Sequence, residues 1–461
     1  MQYTNHYQAE QKFCLFFNRN NMSKIIIIGC GVAGMTAAMY AIKNGYNVDI
    51  YEKNNYIGGR CFSFFDKKNY NIIKKAFNKD VNKDLFYLDN GQHLISGAYK
   101  YFLELLDWLE TKSLLTNKNK LKVDFIDTDF DRKYIIDFKN IFKLLNTKYI
   151  TIKDKICLIY FFVYLLKNEK KLADYTILDV CKKINISDFS IKRIITPIVI
   201  SIINSAINDA PVPIFINTIK TILSKRHSGL ILTYCKKNFA DLFASFSNKI
   251  YENENCNLFL KTKINDFFIE NNICKGIILS DGSIRLADKI ITTIPPNNYK
   301  KMESFHSNSQ YFSNSAILSA YFWTNENLNL NQEFNAIIGT NIDWIFNMNT
   351  PKNKEENIYQ YRITISNFSK SNNKTIKDVT ELIQTELEII FKRKIKLYAL
   401  RIINQCDATI LITTQNNKLR PDSKTQIKNL YIAGDWCNTK LPACIESAAI
   451  SGFLSIKEIL Q

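Results

Sequence analysis

Three glycines near the start of the chain, Gly29, Gly31 and Gly34, have the spacing G-x-G-x-x-G and follow the apolar run Ile25–Ile28. In this pattern the first glycine allows a tight turn, the second lets the backbone approach a pyrophosphate, and the third lets a helix pack close to the strand. Glu52 follows at a spacing that suits an acid accepting hydrogen bonds from ribose hydroxyls. A glycine-rich turn in an ordinary α/β fold would not account for this acid, so the residues predict a nucleotide site.

The elements that must position these groups follow from the surrounding pattern. The β-branched run predicts a parallel strand buried on both faces. Residues 35–44 predict a helix, with Gly45 as its left-handed stop, and Asn47–Tyr51 predicts a second strand ending at the acid. The helix N-terminus would offer unpaired N–H groups and a partial positive charge to phosphates.

A second glycine pair begins six residues after Glu52, in the stretch GGRCFSF. Gly58 and Gly59 would let the backbone pass close to a cofactor, and Arg60 would offer a forked cation to phosphate or ribityl oxygens. The alternative for Arg60 is a surface salt bridge. This stretch resembles the flavin-binding extension of the amine oxidase and phytoene desaturase superfamily.

The C-terminal sequence NLYIAGDWCNTKLPACIESAAISGFLSIKEIL resembles the closing motif of the same superfamily. The pattern predicts a buried strand at Leu430–Ala433 and a helix that begins near Pro442. The resemblance implies that Asp435 contacts the ribityl–phosphate chain of a flavin and that the helix N-terminus faces the isoalloxazine O2, where it would stabilise negative charge. It also implies that the backbone near Ile264 contacts the adenine.

The resemblance therefore implies FAD as the cofactor. The implied FAD-contacting residues are Gly29, Gly31, Val32, Ala33, Gly34, Glu52, Lys53, Gly58, Gly59, Arg60, Ile264, Gly434, Asp435, Leu441, Pro442 and Ala443. The sequence has no second G-x-G-x-x-G motif, so we expect the reducing electrons to come from a separate donor protein or from a loosely bound nicotinamide. We predict no metal site.

The stretch YLDNGQHLISGAY, residues 87–99, places polar residues between apolar ones in a chain with four histidines. Together with AGDWCNTKLPACIESA it closely resembles the hydroxysqualene dehydroxylases, and so do residues 195–211, 334–349 and 408–421. The resemblance implies reductive removal of the hydroxyl of hydroxysqualene, a long-chain isoprenoid, to give squalene. The alternatives are a carotenoid-type FAD desaturase, in which hydride moves from substrate to flavin, and a non-catalytic prenyl-lipid escort protein.

Loss of an allylic hydroxyl is easier when the leaving oxygen is protonated, and a histidine with a pKa near 6.5 suits that task at neutral pH. His93 is the candidate acid, with Gln92 as an orienting hydrogen-bond partner. Asp89 is the alternative acid, or a turn residue only, and His93 is alternatively a structural histidine.

Composition restricts the partners. The 461 residues carry a formal net charge of +18, but the lysines are scattered and no nucleic-acid motif or zinc spacing occurs, so we expect no nucleic acid. The 11 cysteines form no C-x-x-C pair and no secretory signal precedes them, which indicates a reduced cytoplasmic compartment. Residues 1–21 are polar, and we interpret them as a non-native or dispensable extension before Met22.

The expected fold class is α/β, with a Rossmann-like FAD-binding domain interleaved with an α+β substrate domain. We assign residues 22–98, 226–300 and 401–461 to the FAD-binding domain, and residues 99–225 and 301–400 to the substrate domain, with helices in its first part and antiparallel strands in its second. The run ICLIYFFVYLL, residues 156–166, is flanked by lysines and is too short to span a bilayer. It predicts either a buried core helix or a peripheral contact with the inner face of an anionic membrane.

Overall fold

The computed structural model describes residues 23–116, 122–137, 151–225, 228–302, 304–305, 311–347, 349, 356–368 and 375–461. The predicted extension, residues 1–21, lies outside them. The strands of the described chain are β1 (Lys24–Ile28), β2 (Asn47–Tyr51), β3 (Ser63–Phe65), β4 (Tyr87–Asp89), β5 (Ile95–Ser96), β6 (Lys122–Asp127), β7 (Arg132–Asp137), β8 (Leu232–Thr233), β9 (Asn257–Phe259), β10 (Ile264–Glu270), β11 (Ile273–Leu279), β12 (Ile284–Leu286), β13 (Lys289–Thr292), β14 (Asn314–Thr324), β15 (Phe334–Ile338), β16 (Trp344–Asn347), β17 (Tyr359–Ile365), β18 (Ala399–Ile410) and β19 (Leu430–Ile432).

The α-helices of the described chain are α1 (Val32–Lys43), α2 (Lys67–Phe77), α3 (Lys100–Trp108), α4 (Ile152–Asn168), α5 (Ile177–Lys183), α6 (Asp188–Ser190), α7 (Thr196–Ile203), α8 (Val212–Ser224), α9 (Phe246–Tyr251), α10 (Ile376–Phe391), α11 (Thr414–Lys418) and α12 (Ile445–Leu460).

A five-stranded parallel sheet in the order β19-β13-β1-β2-β9 carries the first glycine motif. The β1 strand lies at its centre and is buried on both faces, as the isoleucine run predicts. Ile25 and Ile27 pack with apolar residues of α1 and α12, whereas Ile26 and Ile28 pack with Ile264 and other residues of the antiparallel sheet β10-β11-β12. The predicted α/β class with a Rossmann-like unit is confirmed.

A second, seven-stranded sheet has the order β18-β14-β17-β16-β15-β6-β7. Helix α10 covers one face, where Leu318, Phe322 and Ile363 pack against Ile383 and Leu387. The opposite face of this sheet, which includes side chains of β14 and β17, packs against residues 85–94. This face brings the polar stretch 87–93 next to the second sheet.

The strands of the parallel sheet come from the three segments that we assign to the FAD-binding domain. The boundary at 401 falls within β18, which pairs along its length with β14 of the seven-stranded sheet. Both parts of the expected substrate domain mix helices and strands: β6 joins the second sheet by pairing in parallel with β15, and α10 lies among the later strands. Alternation of buried Val123 and Phe125 along β6 explains its place in that sheet. The domain boundaries themselves stay predictions.

In the part of the chain that the structure describes, no helix combines the length and the apolar character needed to cross a bilayer. The cysteines within these described ranges are free thiols.

Candidate active site

The first glycine motif forms the turn between β1 and α1. Gly29 has a φ of +95°, which favours glycine, and a Cβ on Gly34 would lie 2.0 Å from the carbonyl oxygen of Gly29. Helix α1 can therefore start this close to β1 only with glycine at position 34. The first turn of α1 has no side-chain cap, so the N–H groups of Val32 and Ala33 lie at a helix N-terminus that suits a phosphate.

Glu52 follows the last residue of β2 and is buried. Its Oε2 accepts a hydrogen bond from the N–H of Cys30 (2.8 Å), and its Oε1 accepts one from the N–H of Asn54 (2.9 Å). These two bonds fix the carboxylate next to the glycine turn and leave lone pairs for two ribose hydroxyls. Lys53 is exposed beside it.

The second glycine pair packs directly on the first motif. Gly58 pairs with Gly31 in an isolated β-bridge, and a Cβ on Gly59 would lie 3.1 Å from the Cα of Gly31.

The segment before β10 contacts the backbone of Glu52. The N–H of Thr262 donates to the Glu52 carbonyl oxygen, and β10 begins at Ile264, two residues later. The predicted adenine segment is thus brought to the predicted ribose acid.

Arg60 has its partners on the C-terminal side of the site. Its guanidinium donates to Oδ1 of Asp435 and to the carbonyl oxygen of Ala408, both at 2.5 Å. The attraction to the Asp435 carboxylate raises the pKa of Arg60, and desolvation of the guanidinium opposes this with a smaller effect. The structure therefore joins two residues for which the sequence predicted separate contacts with the cofactor.

The loop 434–443 is held by Arg420, which the sequence reasoning did not single out. The buried guanidinium donates to the carbonyl oxygens of Asp435 (2.9 Å), Trp436 (3.3 Å) and Leu441 (2.6 Å). Leu441 and Pro442 are buried, and α12 begins at Ile445, three residues after the predicted start. Arg420 thereby fixes the segment that precedes the N-terminus of α12.

These groups fit FAD. The uncapped helix start and the two backbone-to-backbone glycine contacts form a cradle that any side chain would fill, and Glu52 offers the acceptor that a ribose needs. Arg60 and Asp435, joined as an ion pair, would hold the phosphate and ribityl part between them. The individual contacts stay predictions.

The polar stretch 87–93 bridges this cradle and the second sheet. The side-chain amide of Asn90 donates to the carbonyl oxygen of Arg60 (3.2 Å), and Oδ1 of Asn90 accepts from Nε2 of Gln405 on β18 (2.6 Å). The N–H of Asn90 also donates to the carbonyl oxygen of Phe62 (2.9 Å). One residue therefore connects the second glycine pair to the seven-stranded sheet.

Asp89 is enclosed by donors. Its Oδ1 accepts from the hydroxyl of Ser63 (2.7 Å) and from the N–H of Phe239 (2.8 Å), and its Oδ2 lies 3.5 Å from a guanidinium nitrogen of Arg362. The hydroxyl of Tyr321 donates to the carbonyl oxygen of the same residue (2.8 Å). This set of donors suits an ionised carboxylate that organises the loop.

Gln92, which the sequence predicts to orient His93, is itself held by Arg362 on β17. The guanidinium donates to Oε1 of Gln92 (3.0 Å), which directs the amide N–H groups away from Arg362. Arg362 also lies over the ring of Tyr321, at 5.1 Å from the ring centroid. The sequence offered no signal for Arg362, a single cation in the strand YQYRITI, 270 positions from its partner.

His93 lies against the ring of Phe239, with the ring centroids 4.7 Å apart. Its Nε2 is buried and has no hydrogen-bond partner among the described residues. Burial lowers the pKa of His93 to about 4, against an opposing effect of Asp89, so the imidazole is neutral at pH 7. A neutral imidazole can orient a hydroxyl by a hydrogen bond, but it does not carry the spare proton that the sequence interpretation gave it.

An apolar cluster, which we call the apolar wall, adjoins the polar stretch through Leu94. Residues of β6, β15 and β16 form a cluster with Leu94 and the segment 232–234; its buried members are Val123, Phe125, Phe334, Ala336, Ile338 and Phe346. Within the described ranges, no group of His, Cys, Asp and Glu side chains is arranged to hold a metal ion.

Comparison with known proteins gives one family and several relatives. The family described as flavin containing amine oxidoreductase matches residues 32–460. The hydroxysqualene dehydroxylase of Zymomonas mobilis is 21% identical over 94% of this chain and 97% of its own length, and that of Sinorhizobium fredii is 22% identical over 92% and 95%. The zeta-carotene desaturase of Capsicum annuum is 34% identical, but over 18% of this chain and 11% of its own length.

Among solved structures, an oxidoreductase from Methanosarcina mazei superposes with a TM-score of 0.70 at 15% identity, covering 94% of this chain and 100% of its own. At this identity the likeness shows a shared fold.

Proposed function

This chain belongs to the family of flavin containing amine oxidoreductases and is an FAD-dependent oxidoreductase, and on that premise we propose that its reaction is the reductive removal of the hydroxyl group of hydroxysqualene. Two curated relatives with which it aligns over more than nine-tenths of its length are named for that activity. The observation that supports the proposal most is an unpaired polar atom, Nε2 of His93, in the residue next to Leu94 of the apolar cluster. A long hydrocarbon with one hydroxyl group has the complementary chemistry.

Replacing a C–OH bond by a C–H bond requires a hydride at carbon and a proton at the oxygen, which leaves as water; reduced FAD, when bound, would supply the hydride. We assign the proton to solvent, because the neutral imidazole of His93 has no spare proton to give. The apolar wall excludes bulk water from the carbon that becomes cationic. We assign Nε2 of His93 and the amide N–H groups of Gln92 to the leaving oxygen, because a hydrogen bond there lowers the barrier to its departure. We assign Asp89 and Arg362 to positioning, since each is already enclosed by protein partners.

The reaction is tested by mixing anaerobic, photoreduced holoprotein with hydroxysqualene. Squalene formation together with reoxidation of the flavin is the expected result. If hydroxysqualene is recovered unchanged while a polyene precursor reduces the oxidised holoprotein, the enzyme is a desaturase, the second candidate that the short match to zeta-carotene desaturase favours. We also propose that a separate donor supplies the electrons.

The role of His93 is tested with His93→Gln. We expect turnover to fall by about 10² or more, with FAD still bound and its absorption spectrum unchanged. Phe239→Leu is the matched control, because it alters the ring beside His93 without removing a polar side-chain atom. Unchanged turnover in His93→Gln with full FAD content would remove His93 from the reaction.

A further inference from the structure

Helix α4 is apolar on two opposite sides, but only one side is buried. Leu158, Phe161 and Leu165 belong to the protein core, and Phe162 stacks with Phe215 of α8 at a centroid distance of 6.3 Å. A helix that is apolar all round is normally enclosed by its surroundings. The second apolar side of α4 therefore needs an explanation beyond the core.

The other side of α4 leaves large apolar residues in contact with solvent. At spacings of three and four residues they form one continuous stripe, which we call the α4 stripe: Ile152 (75% exposed), Ile156 (62%), Ile159 (51%), Tyr160 (52%), Val163 (41%) and Leu166 (41%). Scattered exposed apolar residues need no explanation, whereas a contiguous set of this size marks an interaction surface.

Lysines border the α4 stripe at both ends. Lys153 and Lys155 lie in its first turn, and Lys167, Lys170 and Lys171 lie at and just after its end. All are exposed except Lys155, which is half-buried. The arrangement is an apolar helix face with cations at its margins, which is the composition of helices that lie in the headgroup region of an anionic bilayer.

The acidic residues of this region do not cancel that charge. Asp154 is buried and accepts hydrogen bonds from Thr151, Ser187 and Ser190, so its carboxylate is directed into the protein. Glu169 pairs with Lys220 of α8.

Asp174, a few residues later, pairs with Lys418 of α11. The carboxylates of this region are thus matched by other groups, and the lysines of the stripe margin leave the surface net positive.

We propose that the α4 stripe is a docking surface for an anionic lipid bilayer, with α4 lying in the plane of the headgroups. The apolar residues enter the acyl boundary, and the lysines bind lipid phosphates. A second copy of this chain is the poorer fit, because it would bring two sets of the same lysines together. The inference does not depend on the proposed reaction, although a bilayer also dissolves hydrocarbons of the proposed substrate class.

The test is sedimentation of the FAD-bound protein with sucrose-loaded vesicles of phosphatidylcholine, with or without 30% phosphatidylglycerol. We expect pelleting with the anionic vesicles, weakened in high salt. Ile156→Asp/Val163→Asp should reduce the partition constant by about tenfold or more. Lys153→Gln/Lys167→Gln/Lys170→Gln should reduce it by roughly fivefold per lysine.

The matched controls carry the same changes on other surfaces. Ile284→Asp/Leu286→Asp replaces exposed apolar residues of β12, and Lys67→Gln/Lys68→Gln/Lys75→Gln removes exposed lysines of α2. Both controls should bind vesicles like the wild type. All variants should keep the wild-type melting temperature and FAD content, because the changed side chains are exposed.

Two results would overturn the proposal. One is equal pelleting of the wild type and Ile156→Asp/Val163→Asp. The other is a dimer, seen by size exclusion with light scattering, that this variant converts to monomers, since the stripe would then be covered by a second copy. Neither readout requires turnover, so failure here is distinguishable from failure of the proposed reaction.

Discussion

Replacing Arg362 with methionine should destabilise the protein and also slow turnover without loss of FAD. Methionine keeps much of the aliphatic volume of the side chain but removes the cation that faces Asp89 and the donor that orients Gln92. The ion pair is largely buried, with 14% of the Arg362 side chain and 9% of the Asp89 side chain exposed. The change therefore leaves a buried carboxylate without its cation.

The expected loss follows from the partners that remain. Removing one member of a buried pair costs about 3–5 kcal/mol. Asp89 keeps its hydrogen bonds from Ser63 and from the N–H of Phe239, and the contact with Arg362 is long at 3.5 Å. We therefore expect a loss of about 2–3 kcal/mol in the free energy of unfolding.

The double variant Arg362→Met/Asp89→Asn separates the ion pair from other effects. With the charge on residue 89 removed as well, the second substitution should restore part of the stability, and the pair should depart from additivity by about 1–2 kcal/mol. Urea unfolding followed by tryptophan fluorescence measures this, because the buried Trp323 stacks on Phe86 in the cluster that contains Leu88.

Arg393→Met is the matched control, since Arg393 is half-exposed and pairs with Glu326 on the surface. It should cost at most about 1 kcal/mol. The reasoning fails if Arg362→Met is no more destabilising than this control, or if the two substitutions at 362 and 89 are additive. It also fails if turnover of Arg362→Met equals that of the wild type, since the orientation of Gln92 would then be irrelevant to the reaction.

Two further changes test the cofactor cradle, and a third tests the buried carboxyl group of Glu446 in α12. Gly34→Ala would place Cβ 2.0 Å from the Gly29 carbonyl oxygen, so the purified protein should lack FAD absorbance. Gly282→Ala also strains the backbone, since Gly282 has a φ of +82°, but its Cβ would meet no atom within 4 Å, so this control should retain FAD. Wild-type FAD content in Gly34→Ala would contradict the assigned packing. Glu52→Gln places a donor opposite a backbone N–H and should weaken FAD binding to the apoprotein by about tenfold, measured by flavin fluorescence titration; unchanged affinity would remove Glu52 from the ribose site. Burial raises the pKa of Glu446 to about 7, so the folded state holds this proton more tightly than the unfolded chain, and the free energy of unfolding should fall as the pH rises from about 4.5 to 7. Glu446→Gln should remove that fall, which is about 3 kcal/mol at most. The reasoning is refuted if the free energy of unfolding from urea titrations depends on pH in the same way in the two proteins.

The parallel sheet and its first helix could be predicted because their signals are local. Buried β-branched residues, three glycines and an acid fall within 30 residues, and each has one structural reason for its place. The partners of the polar stretch could not be predicted in the same way. Arg362 and Gln405 reach Gln92 and Asn90 from 270 and 315 positions away, through strands whose register depends on the packing of the whole second sheet.

Helix α4 shows a different limit. Its residues predict a helix at nearly the observed position, but both of its sides are apolar, so hydrophobic periodicity does not identify the side that faces the core. The structure resolves this by burying Phe161 and exposing Ile159, two residues apart. The exposed side, which the sequence alone does not identify, is the α4 stripe on which the membrane proposal rests.

Residues 89–92 are held in place, so movement of this segment does not explain why Nε2 of His93 is unpaired. Leaving a buried polar atom unpaired costs about 1–3 kcal/mol, and a mobile loop would shift until the atom found a partner. Here Asn90 is held by Arg60 and Gln405, and Gln92 is held by Arg362, so the segment on one side of His93 is anchored to the second glycine pair and to the seven-stranded sheet. No described protein group accepts or donates at Nε2. We infer that a hydroxyl of the bound substrate completes this hydrogen bond, which would place the one polar group of a long hydrocarbon between the cofactor cradle and the apolar wall.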